Sequence, residues 1–324
     1  MKWEDMRRSK NVNDKRNQSS GLPGGLGRGS SGGGMGLGSL LQLLLFLPGK
    51  AKWLVLLLVG FVFLGGGGLF GNIFDQGGNH SPDSAYEQGQ TNQPVDRNQS
   101  GTQDSSTVDQ GYAYMSSILG NTEDFWIQEF QRHGGEYKMP QMVLYTQSTQ
   151  TGGCGFGSAQ AGPFYCPADE TIYIDLSFMN DLQNRYKAPG DFAMAYVIAH
   201  EVGHHVQKQL GIMDEYTRAH SRMSKTQANQ LNVRLELQAD YFAGAWAKYA
   251  NDNNLLEIGD VDEALQAAYA VGDDTIQKEA YGTIVPDSFT HGSAQQRQAW
   301  FKHGLQHGNL ENSDSFGQIL PNEQ

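Results

Sequence analysis

The chain of 324 residues carries 23 Lys and Arg against 35 Asp and Glu, a formal net charge of −12 at neutral pH. That length allows one or two domains, but 41 glycines, concentrated in the first third, leave a smaller globular part. Beyond residue 70 the balance is 14 basic to 32 acidic residues, a net of −18 that argues against nucleic acid as a partner.

Residues 1–52 begin as a polar, Gly/Ser-rich tail. Lys2, Arg7, Arg8, Lys10, Lys15, Arg16 and Arg28 stand there against Glu4, Asp5 and Asp14. Such a composition cannot bury a core and predicts disorder. Because the tail is short and lacks interleaved aromatics, its charge reads as a topology signal rather than a nucleic-acid site. The apolar run Leu40 to Leu47 is too short to span a bilayer and ends at Pro48-Gly49-Lys50, so it reads as an interfacial or partly inserted helix.

Residues 53–74 hold no charged side chain. Twenty-two residues in a helix cover about 33 Å, enough for a bilayer core of roughly 30 Å. Lys50 and Lys52 precede this stretch and Asp75 follows it. The positive-inside rule then predicts a single-pass anchor with a cytoplasmic N-terminus and an extracytoplasmic C-terminal domain. A cleaved signal peptide fits less well, because the polar lead is long and no A-x-A site follows. Residues 75–108 read as a flexible tether.

The ordered domain is expected over 109–310. Gln110 to Arg132 reads as one or two helices broken around Gly120-Asn121. Strands are expected at Met142–Thr146, Phe164–Cys166 and Thr171–Leu176, the last two as a hairpin. Cys154 and Cys166 flank a Gly-rich loop between them. In an extracytoplasmic domain a disulfide is their expected state; a second metal site is the poorer alternative, because no further Cys pair exists. Helices are then expected at Leu176–Tyr186, Gly190–Gly211, Thr226–Ala250 and Asp260–Ala280, the last interrupted near Gly272-Asp273. From Lys302 the chain reverts to Gly, Asn, His and Ser, and 311–324 reads as a disordered tail. Strands followed by helices predict an α+β domain, and the TIYID strand is a candidate sheet edge to which an extended peptide could add; an ordinary interior strand is the alternative.

The chemistry concentrates in the helix GDFAMAYVIAHEVGHHVQKQLG, Gly190–Gly211. His200 and His204, four apart, project from one helical face, close enough to hold one metal ion. Glu201 beside them occupies the general-base position of HExxH zinc hydrolases. Three fixed positions arise by chance in long chains, so a third ligand has to decide. The continuation HExxHxxGxxH fails, since Gln207 and Leu210 stand where Gly and His are required. Glu236-Leu-Gln-Ala-Asp240 instead places two carboxylates four apart on a later helix, the ExxxD pattern of gluzincins. Glu236 would complete the metal shell, and Asp240 would accept a hydrogen bond from a ligand histidine and fix its tautomer. His291, just ahead of another helix, could donate to the oxyanion of a tetrahedral intermediate or could merely cap that helix. Arg297 is a candidate to pin the loop or a carboxylate. His205 is rotated off the metal face and is assigned a structural role. Partners at ligand spacing are lacking for His80, His133, His220, His303 and His307.

The runs CGFGSAQAGPFYCPADETIYIDLSF and APGDFAMAYVIAHEVGHHVQ resemble the bacterial neutral zinc metallopeptidase family, and the resemblance continues through ELQADYFAGAWA and DSFTHGSAQQRQAWF. It implies a zincin-like, gluzincin-type domain behind a single N-terminal transmembrane helix. One Zn2+ per chain would be held by His200, His204 and Glu236, with a peptide or protein as substrate. The THG segment is also similar to the His-containing segment of membrane gluzincins that process prenylated proteins, which supports His291. These readings place the protein in the bacterial inner membrane, its peptidase domain extracytoplasmic and contacting the bilayer through 53–74. Two other functions share the pattern: an envelope interaction protein with a non-catalytic zinc site, and a zinc hydrolase of a non-peptide amide such as a cell-wall cross-link.

Overall fold

The sheet on which the site rests begins with residues expected to be disordered. In the computed structural model, which describes residues 1–16, 105–158 and 162–320, Trp3–Asp5 form a 3-10 turn and β1 (Val12–Asp14) joins a four-stranded sheet. The expected anchor at 53–74 lies outside the described residues, as does the tether up to residue 104. Among the described residues no helix is long and apolar enough to cross a membrane.

The helix α1 runs from Ser105 to Arg132 without a break at Gly120. After it come β2 (Gln141–Tyr145), the hairpin strands β3 (Ser148–Gln150) and β4 (Phe156–Ser158), then β5 (Phe164–Cys166) and β6 (Thr171–Asp175). Helices follow: α2 (Ser177–Asn184), α3 (Asp191–Gln209), α4 (Ile212–His220), α5 (Lys225–Asp252), α6 (Asp260–Ala270), α7 (Asp273–Tyr281) and α8 (Ala294–His307). Mixed sheet and helices give the expected α+β class. The α3 helix ends where Gly211 takes a left-handed conformation, φ +77°, that a side chain would disfavour.

Strand order is β1-β2-β6-β5, with β1, β2 and β6 parallel and β5 antiparallel to β6. The expectation that TIYID forms the edge is therefore corrected. It is interior, every residue buried, because β2 pairs along its other side in register Gln141↔Thr171 to Tyr145↔Asp175. A strand buried on both faces reads as continuously apolar, and nothing local reveals which neighbours will cover it. The edge is β5. Cys154 and Cys166 are joined by a disulfide that ties the turn between β3 and β4 to the end of β5.

Helices α3, α5 and α8 stack behind the sheet. Their inner faces carry Phe192, Trp246, Tyr241, Trp300 and Phe301, all fully buried in one cluster that also takes Trp126 of α1. Gly203, inside the HEVGH motif, lies where α3 crosses α5. A Cβ there would come within 3.1 Å of the Ala239 backbone. The glycine lets the helices approach closely enough for Glu236 and Asp240, on either side of Ala239, to meet the side chains of α3.

Two further expectations are corrected. Residues 1–16 pack against the domain, with Met1 and Met6 buried and the Met1 amine between Asp191 and Asp260. Burial opposes the charge on that amine, but the neighbouring carboxylates of Glu257, Asp191 and Asp260 outweigh it and raise its pKa to about 10. Composition misses this because an edge strand draws on backbone bonding and needs few apolar side chains. The C-terminal residues 311–320 also pack: Gln238 Nε2 donates to the Ser313 carbonyl at 3.0 Å, Ser315 Oγ to the Arg234 carbonyl, and Leu320 is buried.

Candidate active site

His200 and His204 leave α3 one turn apart, their ring centroids 4.8 Å from each other. Glu236, midway along α5, reaches both: its carboxylate oxygens lie 3.1 Å from His200 Nε2 and 3.5 Å from His204 Nε2. One ring nitrogen of each histidine and one Glu236 oxygen all fall within 4.8 Å of one another, a spacing suited to one metal ion. His200, Glu201 and His204 are 6, 8 and 9 % exposed, so the site is sunk but open on one side.

What stands behind the imidazoles fixes their tautomers. His200 Nδ1 lies 2.9 Å from Asp240 Oδ1, and His204 Nδ1 lies 2.9 Å from Gln207 Oε1. Each Nδ1–H donates backwards, which leaves the Nε2 lone pairs aimed at the common point. The expected bond from Asp240 is thus present, and it has support of its own. Arg297 of α8 grips Asp240 with two bonds, Nε to Oδ2 at 2.8 Å and Nη2 to Oδ1 at 2.9 Å, while Tyr196 Oη donates to Oδ1 at 2.6 Å. Gln207 is held in turn, its Nε2 donating to the Leu235 carbonyl at 2.7 Å.

The electrostatics follow from this packing. Burial opposes the charges on Asp240 and Glu236, but Arg297 and His200 hold the first below its usual range, and the two imidazoles hold the second well below it. Burial likewise opposes protonation of His200, yet Asp240 and Glu236 overcome it and push its pKa up to about 10; His204 is raised by Glu236. Glu236 is therefore ionised and presents an anionic oxygen beside the two imidazoles. The donor set of two imidazoles and a carboxylate is the kind zinc takes, and it leaves a coordination position for solvent or substrate.

The site opens into a cavity of about 440 Å³ whose lining includes Phe164 and Tyr165 of β5, Phe178 and Tyr186 beside α2, and Ile276 of α7. Glu201 lines it next to the ligand pair. Across from them stands His291, also in the lining, half-exposed, with its Nδ1 3.3 Å from Asp273 Oδ1. Asp273 Oδ2 further accepts from the backbone N–H groups of Thr290, His291 and Gly292, which shapes the whole loop.

His205 does leave the metal face. It is fully buried, accepts at Nδ1 from Tyr165 Oη at 3.0 Å and donates from Nε2 to the Lys138 carbonyl at 2.6 Å, thereby fastening the edge strand to the metal helix. Burial keeps its pKa low, so it stays neutral in this role. His133, expected to lack partners at ligand spacing, lies 3.3 Å from Glu129 and 3.5 Å from Glu311.

Sequence reasoning missed three residues. Gln207 could have been found, since it follows His204 by three and so shares its face. Tyr196 precedes His200 by four and was equally accessible. Asp273 had no such signal, because its partner lies eighteen residues away across a turn.

Residues 1–316 match the family described as "Putative neutral zinc metallopeptidase". The chain belongs to this family. The match takes in the N-terminal strand as well as the HEVGH helix, Glu236 and His291. Among similar proteins, "Uncharacterized protein YpfJ" of Escherichia coli strain K12 is 43% identical over 320 residues, covering 99% of this chain and all of the relative. "Uncharacterized protein Rv2575" of Mycobacterium tuberculosis strain H37Rv is 42% identical over 191 residues, 56% of this chain and 63% of the relative. No solved structure matches.

Proposed function

We propose that this member of the zinc metallopeptidase family hydrolyses peptide bonds at the His200–His204–Glu236 centre. The observation that carries the reading is the convergence of these three side chains, each imidazole backed by a buried acceptor. Zinc, when bound, supplies a Lewis acid and lowers the pKa of water to near 7.

The chain's own residues do the rest. Glu201 takes the proton of the attacking water and returns it to the leaving amine, which its place beside the ligand pair allows. His291, steadied by Asp273, donates to the oxyanion that develops on the carbonyl. The substrate is an extended peptide that adds to β5. Among the described residues this strand pairs only with β6, and Phe164 and Tyr165 lie in the cavity lining, so peptide backbone groups could bond along the open side. An open edge favours a peptide over a non-peptide amide.

Residues 53–74 associate the protein with a bilayer, a reading supported by their length and lack of charge. The Cys154–Cys166 disulfide supports an oxidising, extracytoplasmic setting for the domain.

The test is zinc content and cleavage of an unfolded protein by the purified full-length chain beside its Glu201→Gln variant. Both should bind one zinc, with turnover by the variant reduced about 10²- to 10⁴-fold. Equal turnover by the two would remove Glu201 from the chemistry.

A further inference from the structure

The first sixteen residues are held to the catalytic domain by three kinds of contact. Backbone pairing comes first: β1 runs parallel to β2 in register Val12↔Met142 to Asp14↔Leu144, with Met142 N–H donating to the Asn11 carbonyl and Lys15 N–H to the Leu144 carbonyl, each at 2.8 Å.

The second is a buried carboxylate. Glu123 of α1, 1 % exposed, receives Arg7 Nη2 at 2.8 Å, Ser9 Oγ at 2.6 Å and Asn11 Nδ2 at 2.8 Å. All three partners come from the N-terminal segment. Without them the carboxylate would sit buried and uncompensated, which is strongly unfavourable.

The third is shape. Gly120 in the middle of α1 is where residues 7–9 cross the helix, and a Cβ there would lie 2.2 Å from the Arg7 carbonyl oxygen and 2.8 Å from the Ser9 nitrogen. The glycine that reads as a helix break is instead a notch cut for the N-terminal chain. Trp3 adds an edge-to-face contact on Tyr114 at 5.7 Å.

A strand can pair only with a sheet on its own side of a membrane. We infer that residues 1–16 and the catalytic domain, 105–320, occupy the same compartment. This replaces the single crossing, cytoplasmic N-terminus to extracytoplasmic domain, that charge distribution alone suggests. The positive-inside rule weighs Lys and Arg as free flanking charges, whereas Arg7 is engaged with Glu123 and Asp124. The inference is independent of the peptidase reading. It also means that a fragment beginning at residue 75 lacks an edge strand and the partners of Glu123.

The test uses the full-length chain in intact cells. The native cysteines are tied in a disulfide, so a single introduced thiol is the reactive one. Lys10→Cys and Arg222→Cys, both at exposed positions, are treated with a membrane-impermeant maleimide before and after permeabilisation. The expected result is that the two variants behave alike, both labelled in intact cells or both only after permeabilisation. Labelling of one and protection of the other would overturn the inference. A second measurement addresses the pairing itself. Gln141 Nε2 lies 3.4 Å from Asn11 Oδ1 on the sheet edge. The double variant Asn11→Cys, Gln141→Cys should therefore give, on mild oxidation, a cross-linked peptide pair detectable by mass spectrometry; its absence would count against the shared compartment. Neither readout involves zinc or turnover, so failure here is distinct from failure of the peptidase reading.

Discussion

On the helix wall of the cleft, each imidazole of the ligand pair is held by a buried partner that is itself held, whereas the loop wall presents His291 half in solvent with one carboxylate behind its ring. The difference matches what the proposed reaction would ask of each wall. Metal ligands must keep their lone pairs on one point before anything binds, and ordering them in advance lowers the cost of capture. A donor to a transient oxyanion has to admit substrate first, so it belongs at the rim on a loop shaped by Asp273. Removing a group from the first wall should therefore abolish metal binding or the fold, and removing one from the second should slow the reaction alone.

The largest effect is expected from Glu236→Ala, which takes away the carboxylate both imidazoles share. Zinc content should fall to background and activity with it; retention of stoichiometric zinc would place the third ligand elsewhere. Arg297→Ala comes next. It leaves Asp240 buried without its bidentate partner and should cost about 3–5 kcal/mol of stability in chemical denaturation. Lysine at this position should not restore the loss, because it cannot reproduce the fork. A variant as stable as the parent would show that the ion pair is dispensable.

On the loop wall, His291→Ala should keep full zinc and normal folding while kcat falls about 10²- to 10³-fold. An unchanged kcat would leave His291 as a structural partner of Asp273 and nothing more, since Ser293 is the cap of α8. The smallest effect concerns protons. His200 is pushed up to about 10, so in chelator-treated protein at neutral pH its imidazole is cationic and zinc must displace a proton from it. Apparent zinc affinity should accordingly rise with pH through neutrality, and titration calorimetry in buffers of different ionisation enthalpy should reveal proton release. Binding heats independent of buffer would contradict this assignment of charge.

Much of this protein could be read from local spacing. His200, Glu201 and His204 follow from helical periodicity, Glu236 and Asp240 from a second pair four apart, and the disulfide from two cysteines in the chain. These signals are local because a helix fixes directions over a few residues, so identity and spacing alone place side chains on one face. The α+β class followed from element order for the same reason.

Tertiary structure decided the rest, because it depends on which distant segments meet. TIYID is interior because β2 lies along one side of it and β5 along the other, and neither neighbour can be inferred from the strand's own residues. Asp273 stands behind His291 only because α7 and the loop before α8 pack together. The opening sixteen residues have the composition of a disordered tail, and what orders them is a free sheet edge, a buried Glu123 and a notch at Gly120, all more than a hundred residues further along the chain. Hydrogen bonding and close approach between remote segments leave no periodicity in sequence, and here they decide which strand lies at the edge beside the cleft and what orders the opening residues.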